Sequence, residues 1–331
     1  MREGKLLAWA LLVVALGFGC LRSPQELSRE HKDRAQALAG KFREASVEYQ
    51  AALQRDPGDV EALFGLSHVL DLLGRQAESA RVLRRAIAAE PDNTAARLRL
   101  AEISLRACNY AEALGLARQV SAVNPDDAVA VRLEARALTA LGERDPARLR
   151  WEALLASSRA DTAAYLDAAA MEVSAGEAHR AAELLREGLE KFPGSGPLHV
   201  ALGGILAETE PQEARALFAR AEALAPDEAR VWVSHARALV RQGVPDEGVA
   251  LLAQAQRAQT EPLREAELAR ERARLLLELG EGRQAQAVLD EARARHPEHP
   301  GLAVTLADAL ILQGRTAEAR ELVRPEFDSR C

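Results

Sequence analysis

Proline recurs along this chain at a nearly constant interval, and that interval limits the possible architectures more than any other feature. Pro57, Pro91 and Pro125 are 34 residues apart. Pro193 stands two intervals further on, with Arg159 on the skipped rung, and Pro226 follows after 33 residues and Pro297 after another 71. Proline has no N–H to give to a helix and its ring crowds the preceding turn, so each rung separates two helices. The turns are alike: Asp56-Pro57-Gly58-Asp59, Glu90-Pro91-Asp92-Asn93, Asn124-Pro125-Asp126-Asp127 and Ala225-Pro226-Asp227. An Asp or Asn behind the proline can accept bonds from the first N–H groups of the next helix. Midway between rungs stand Gly40, Gly74, Gly142, Gly176, Gly243, Gly280 and Gly314, with Cys108 in that place in the third unit. There Asn109, three residues before Glu112, forms a capping-box pattern. Between the breaks the apolar residues keep helical spacing, as in Leu63, Leu66 and Leu70, and no run alternates like a strand. A fixed period of helix, turn, helix, turn is the signature of a stacked-repeat architecture.

A second periodicity lies in the small residues. Ala45, Ser79, Ala113, Ala147, Ala181, Ala214, Gly248, Ala285 and Ala319 occupy one slot in the second helix of each unit. Ser67, Ala101, Ala135, Ala169, Gly203, Ala236, Ala273 and Ala307 occupy a slot in the first, which Asp33 breaks in the opening unit. Side chains this small let two helix axes approach closely. A larger residue follows four places after the second-helix slot, as at Tyr49, Leu83, Trp151, Leu185 and Phe218, with Ala117 the exception. The aromatic share is only 4% with two methionines, which suits a core of Ala, Leu and Val.

Period, proline, mid-repeat break and paired small slots together resemble the tetratricopeptide repeat family over residues 26–328. The resemblance implies an all-α fold, a right-handed α-α superhelix (a solenoid of about nine helical hairpins). Lys32 and Asp33 mark an irregular first unit. Arg324-Pro325 is expected to end the last helix early, and residues 329–331 form a C-terminal tail.

The start of the chain reads as an address. Met1-Arg2-Glu3-Gly4-Lys5 is followed by an uncharged, mostly apolar run from Leu6 to Gly19, ending at Cys20. The run is shorter than the ~20 residues a membrane-spanning helix needs. It fits a secretory signal peptide over residues 1–19. Leu16-Gly17-Phe18-Gly19-Cys20 resembles the lipobox of bacterial lipoproteins, departing from it in the early leucine, Gly17 and bulky Phe18, and matching at Gly19 and Cys20. That resemblance implies acylation of Cys20, a short tether over residues 20–25 and a lipid anchor in the outer membrane at its periplasmic face. A simply cleaved signal, giving a soluble periplasmic protein, and an uncleaved short anchor are the other readings.

With 43 Lys and Arg against 50 Asp and Glu, the net charge of -7 argues against the clustered basic surface that phosphate backbones require, so no nucleic-acid partner is expected. Three cysteines, Cys20, Cys108 and Cys331, supply no disulfide framework. No Gly-rich phosphate loop, nucleophile elbow, metalloprotease helix or zinc-type cysteine pair occurs, so no catalytic residue, metal or cofactor is assigned. The two histidines of His296-Pro297-Glu298-His299 straddle a turn and read as solvated residues.

The family resemblance implies that the first helix of each pair lines a concave face where protein segments dock. Carried onto this sequence, that groove comprises Phe64, Arg132, Arg136, Leu166, Val173, Val200, Arg237, Arg270 and Arg274: an apolar floor with arginines at both ends. The Lys and Asn pattern by which chaperone-docking members clamp a C-terminal carboxylate is absent. The expected function is a non-catalytic periplasmic protein–protein interaction scaffold, a membrane-anchored repeat lipoprotein assisting an envelope machine (type IV pilus/secretin or exopolysaccharide export). Its partner would be a protein or peptide segment of that complex. The alternative is a soluble repeat protein, regulatory or ligand-binding, without a lipid anchor.

Overall fold

In the computed structural model, structure is described for residues 41–328 and for Ser28, Arg29 and Lys32. Residues 1–25, which the sequence reads as a signal segment and a tether beginning at Cys20, and Cys331 lie outside the described residues. From Phe42 onward seventeen helices follow one another, with no strand among the described residues. From Phe42 onward, α1 (Phe42–Arg55) precedes eight hairpins. The first three pair α2 (Val60–Leu72) with α3 (Gln76–Ala89), α4 (Thr94–Arg106) with α5 (Tyr110–Val123), and α6 (Ala128–Leu141) with α7 (Arg144–Ala156). The next three pair α8 (Thr162–Ser174) with α9 (Ala178–Lys191), α10 (Gly196–Leu206) with α11 (Pro211–Leu224), and α12 (Ala229–Arg241) with α13 (Pro245–Ala258). The last two pair α14 (Pro262–Glu278) with α15 (Gly282–Arg295), and α16 (Pro300–Leu312) with α17 (Thr316–Asp328). The helices fall into two compact units, α1–α7 and α8–α17. The boundary follows Arg159, the rung that lacks a proline.

Turn chemistry explains where the helices begin. Asp59 accepts from the Ala62 N–H, Asn93 from Ala96, and Asp127 from Val129 and Ala130, so the residue two after the proline is the cap in these three turns. Asp161 and Ser195 cap α8 and α10 in the same way. The Pro226 turn departs from this pattern: Glu228 is the N-cap and makes no side-chain cap bond, while Asp227 pairs with Arg264 at 3.0 Å. The capping box at Asn109 does not form either. Glu112 is drawn away, accepting from Ser104 Oγ at 2.8 Å and Arg84 Nη2 at 2.7 Å. Pro325 does not end α17, which runs on to Asp328; a proline withdraws one N–H bond and crowds the preceding turn without forcing the helix to stop.

Seven of the eight mid-hairpin turns hold a left-handed residue, the α10–α11 turn being the exception. Gly74, Gly142, Gly176, Gly243, Gly280 and Gly314 have φ between 73° and 84°. Cys108, which replaces glycine in this place, adopts φ 60°.

The small slots lie in the core. Ala113, Ala147, Ala181, Ala214 and Ala285 are fully buried in the second helices, as are Ala101, Ala135, Ala236 and Ala273 in the first. The larger slot fills the space beside them, with Leu83, Trp151, Leu185, Phe218, Leu252 and Leu289 at most 2% exposed. First helices also pack on first helices: α4 on α6 in one unit, and α8 on α10, α10 on α12, α12 on α14 and α14 on α16 in the other. Each unit thus presents an outward face built wholly from first helices.

Candidate protein-interaction face

The predicted groove residues all lie on first helices, and the two units present different chemistry. In the first unit Phe64 is half-buried against the apolar cluster around Leu63 and Leu83. Two turns along α2, Asp71 receives Arg99 at 2.8 Å and Arg106 at 2.5 Å, both from α4. Arg99 also reaches Glu102 at 3.3 Å, so two arginines and two carboxylates close on themselves across α2 and α4. Arg132 is half-buried and Arg136 exposed on α6, and both have interaction partners within the chain. At Asp71, Arg99, Arg106, Arg132 and Arg136 this face is polar and internally satisfied.

In the second unit the face is apolar where α8 and α10 form it. Leu166 is half-buried on α8, and Val173, two turns on, is 48% exposed. Val200 of α10 packs half-buried against the cluster of Ala207, Phe218 and Ala238. A Cβ on neighbouring Gly204 would meet nothing within 4 Å, so the surface is open above it. Arg241 of α12 donates to the Gly204 carbonyl at 2.9 Å, tying α12 to α10 beneath this opening.

The sequence placed arginines at the ends of the groove as receptors for acidic groups. In the structure those of the second unit already have carboxylates. Arg237 pairs with Glu278 at 3.1 Å, Arg270 with Glu271 at 3.1 Å and Arg274 with the same Glu271 at 2.9 Å. The exposed Arg237–Glu278 pair contributes no more than about 1 kcal/mol, so a partner's carboxylate can exchange with it at little cost, whereas Glu271, only 14% exposed, holds Arg270 and Arg274 from a largely buried position.

Sequence reasoning stopped one hairpin short. The positions 34 residues beyond Arg270, Arg274 and Leu277 are Val304, Asp308 and Ile311 of α16. Val304 is 47% and Ile311 54% exposed, a second pair of large apolar side chains on the first-helix face of this unit. The repeat period was the signal that could have found them.

The two turn histidines do not converge. His296 Nε2 lies 2.9 Å from Glu265, whereas His299 is the N-cap of α16. Cys108 is an exposed free thiol. Among the described residues no helix is long and apolar enough to cross a membrane.

Family models described as tetratricopeptide repeat match residues 34–88, 74–135 and 276–325. Among solved structures, a tetratricopeptide repeat protein from Parabacteroides merdae is similar at 15% identity and TM-score 0.54, over 75% of this chain and 99% of that one. PilW, a type IV pilus biogenesis factor, is similar at 17% identity and TM-score 0.52, over 60% of this chain and 94% of that one. MamA from Desulfovibrio magneticus has 19% identity over 49% of this chain and 93% of that one, with a TM-score of 0.47. Comparison with curated proteins gives no match. Repeat period, paired small slots, stacked hairpins and matching family models make this chain a tetratricopeptide repeat protein.

Proposed function

We propose that the protein is a non-catalytic interaction scaffold, anchored through an acylated Cys20 to the periplasmic face of the outer membrane, that assists assembly of an envelope machine. Tetratricopeptide repeat proteins bind protein partners through their helical faces, and the observation that carries the reading here is the apolar stretch that α8 and α10 give the first-helix face of the second unit. Leu166, Val173 and Val200 on one stretch, with Val304 and Ile311 further along the same unit, offer apolar side chains that a partner segment can cover. A contiguous exposed apolar patch, unlike single apolar side chains scattered over a surface, marks an interaction site. A type IV pilus/secretin complex or an exopolysaccharide-export complex is the assembly proposed. The apolar run ending at Cys20 supports an envelope location, and the likeness of fold to PilW is compatible with pilus biogenesis.

Fractionation with palmitate labelling tests the anchor. Wild-type protein should carry label and sediment with membranes, and Cys20→Ser should be unlabelled and either soluble or unprocessed. One acyl chain holds a protein only marginally, whereas two or more hold it firmly, so the shift should be near complete. Unlabelled wild-type protein in the soluble fraction would contradict the proposal.

A further inference from the structure

One register position in the first helices faces the core and is most often leucine: Leu66, Leu100, Leu202 and Leu306 are at most 4% exposed. Three hairpins place a polar side chain there instead: Glu134, His235 and Arg272. A polar or charged group in such a place needs a partner. Glu134 is fully buried and is held by Arg150 at 3.0 Å and Arg118 at 3.3 Å. His235 lies stacked on Phe218 with ring centroids 4.7 Å apart, and its Nδ1 is 2.6 Å from Glu222. Arg272 has no equivalent. Its Nε is buried without a hydrogen bond, and among the described residues no carboxylate lies within ion-pair distance of it, Glu291 attracting it only from further off.

The surroundings of Arg272 show what is missing. Gln256 stands at the register of Ser121 and Glu222, and its buried Oε1 also has no partner. Both residues line a cavity of about 310 Å³ between α13, α14 and α15, together with Arg257, Glu265, Glu291 and Arg295. Arg295 is already neutralised, bonded to Glu265 and lying 3.1 Å from Glu291. Arg257 bonds only the Ala253 carbonyl, at 3.2 Å. Three arginines against two glutamates leave the lining with one positive charge in excess. Burial, with Arg257 alongside, pushes Arg272 below the ordinary arginine value and outweighs the attraction of Glu291.

We propose that this cavity is a carboxylate-binding pocket in which Arg272 and Arg257 hold the two oxygens of a single carboxylate. The planar guanidinium suits that geometry, donating two parallel bonds. Turning the Gln256 amide over would present its NH2 group in place of the unpartnered oxygen. One carboxylate balances the lining charge, whereas a doubly charged phosphate would face Glu265 and Glu291 with charge to spare. The carboxylate belongs either to a free small acid or to a glutamate or aspartate side chain of a protein segment.

Calorimetric titration and thermal melting of the purified protein test this with two probes: sodium propionate, and a short end-blocked peptide with one glutamate as its only charge. Sodium chloride at matched ionic strength is the control. At least one probe should bind saturably and raise the melting temperature beyond the chloride control; response to propionate assigns a free acid, and response to the peptide alone assigns a protein segment. Arg257→Gln, at an exposed side chain, should weaken binding about tenfold or more, the loss expected for one charge-assisted hydrogen bond. Arg272→Leu restores the leucine of the other hairpins, so it should melt above the wild type in chloride and lose the response entirely. Wild-type protein indifferent to both probes, or an Arg272→Leu variant that still responds, would overturn the proposal.

Discussion

A Cβ on Gly248 would stand 2.7 Å from the carbonyl oxygen of Ala236, a distance that side-chain carbons do not tolerate. These two residues are the paired small slots of the α12–α13 hairpin. In the α2–α3 hairpin the equivalent pair is Ser79 and Ser67, where the Ser79 hydroxyl donates to the Ser67 carbonyl at 2.8 Å. Small residues recur at these slots because the opposing backbone occupies the space. Gly248→Val should therefore cost about 1–3 kcal/mol or more through overpacking. Gly115 has nothing within 4 Å of its would-be Cβ, and Gly115→Ala should stabilise by about 0.5–1 kcal/mol. Urea melts of the two variants check the contrast. Equal effects would mean that the small slots do not set the helix approach.

Cys108 holds a left-handed backbone where the sister turns have glycine. A non-glycine residue in that region costs roughly 1–2 kcal/mol. Cys108→Gly should raise stability by about 1 kcal/mol, and Gly142→Ala, at φ 78°, should lower it by a similar amount. Paired denaturation curves read both. No change in either would show that the turn relaxes to another conformation.

Glu134 is buried while its partners Arg118 and Arg150 are about half exposed, with side chains 55% and 45% accessible. Removing the carboxylate frees two arginines to solvent, whereas removing both arginines strands a charge in the core. Glu134→Leu, the residue of the sister hairpins, should be near neutral in stability. The double variant Arg118→Ala/Arg150→Ala should lose about 3–5 kcal/mol, as unpaired buried charges do. Chemical denaturation at pH 7 ranks the two, and a Glu134→Leu variant less stable than the double variant would refute the assignment.

In the α8–α9 hairpin, Lys191 Nζ donates to Glu187 at 3.0 Å and to the Tyr165 hydroxyl oxygen at 2.6 Å, and Tyr165 in turn donates to Glu187 at 2.9 Å. The lysine bond, joined by the tyrosine bond, holds the Glu187 carboxyl below its ordinary range despite partial burial. A folded-state value below the unfolded one adds stability at neutral pH that is lost as pH falls through the folded value. Wild type should therefore exceed Glu187→Gln by less than about 1 kcal/mol at pH 7, given the half-exposed pair. From about pH 5 downward the gap should close. Melting temperatures across that range test the sign; a gap that widens in acid would reverse it.

The repeat register was legible in the sequence because proline, left-handed turns and close helix contacts admit few residue types. Asp59, Asn93 and Asp127 behave as their turns predicted. The failures share a cause. Asn109, Glu112 and Asp227 fit local capping patterns, but bonds from other helices drew Glu112 and Asp227 elsewhere. The arginines of the groove illustrate the same limit, since Glu278 meets Arg237 from 41 positions away. The period also pointed to Val304 and Ile311, but only when carried through the last hairpin. Polar residues in a leucine register stand out in sequence as departures; which of them finds a partner depends on packing.

The central claim is that partner segments dock on the first-helix face of the second unit. Photo-cross-linking in the native envelope tests it most directly, with a photoreactive residue at Val173 on α8 or at Ala178 on α9, both exposed within one hairpin. Docking on the first-helix face predicts a discrete heavier adduct from Val173 that is lost on adding Leu166→Asp and is absent from Ala178. An adduct from Ala178 alone, or equal adducts from both positions, would contradict it.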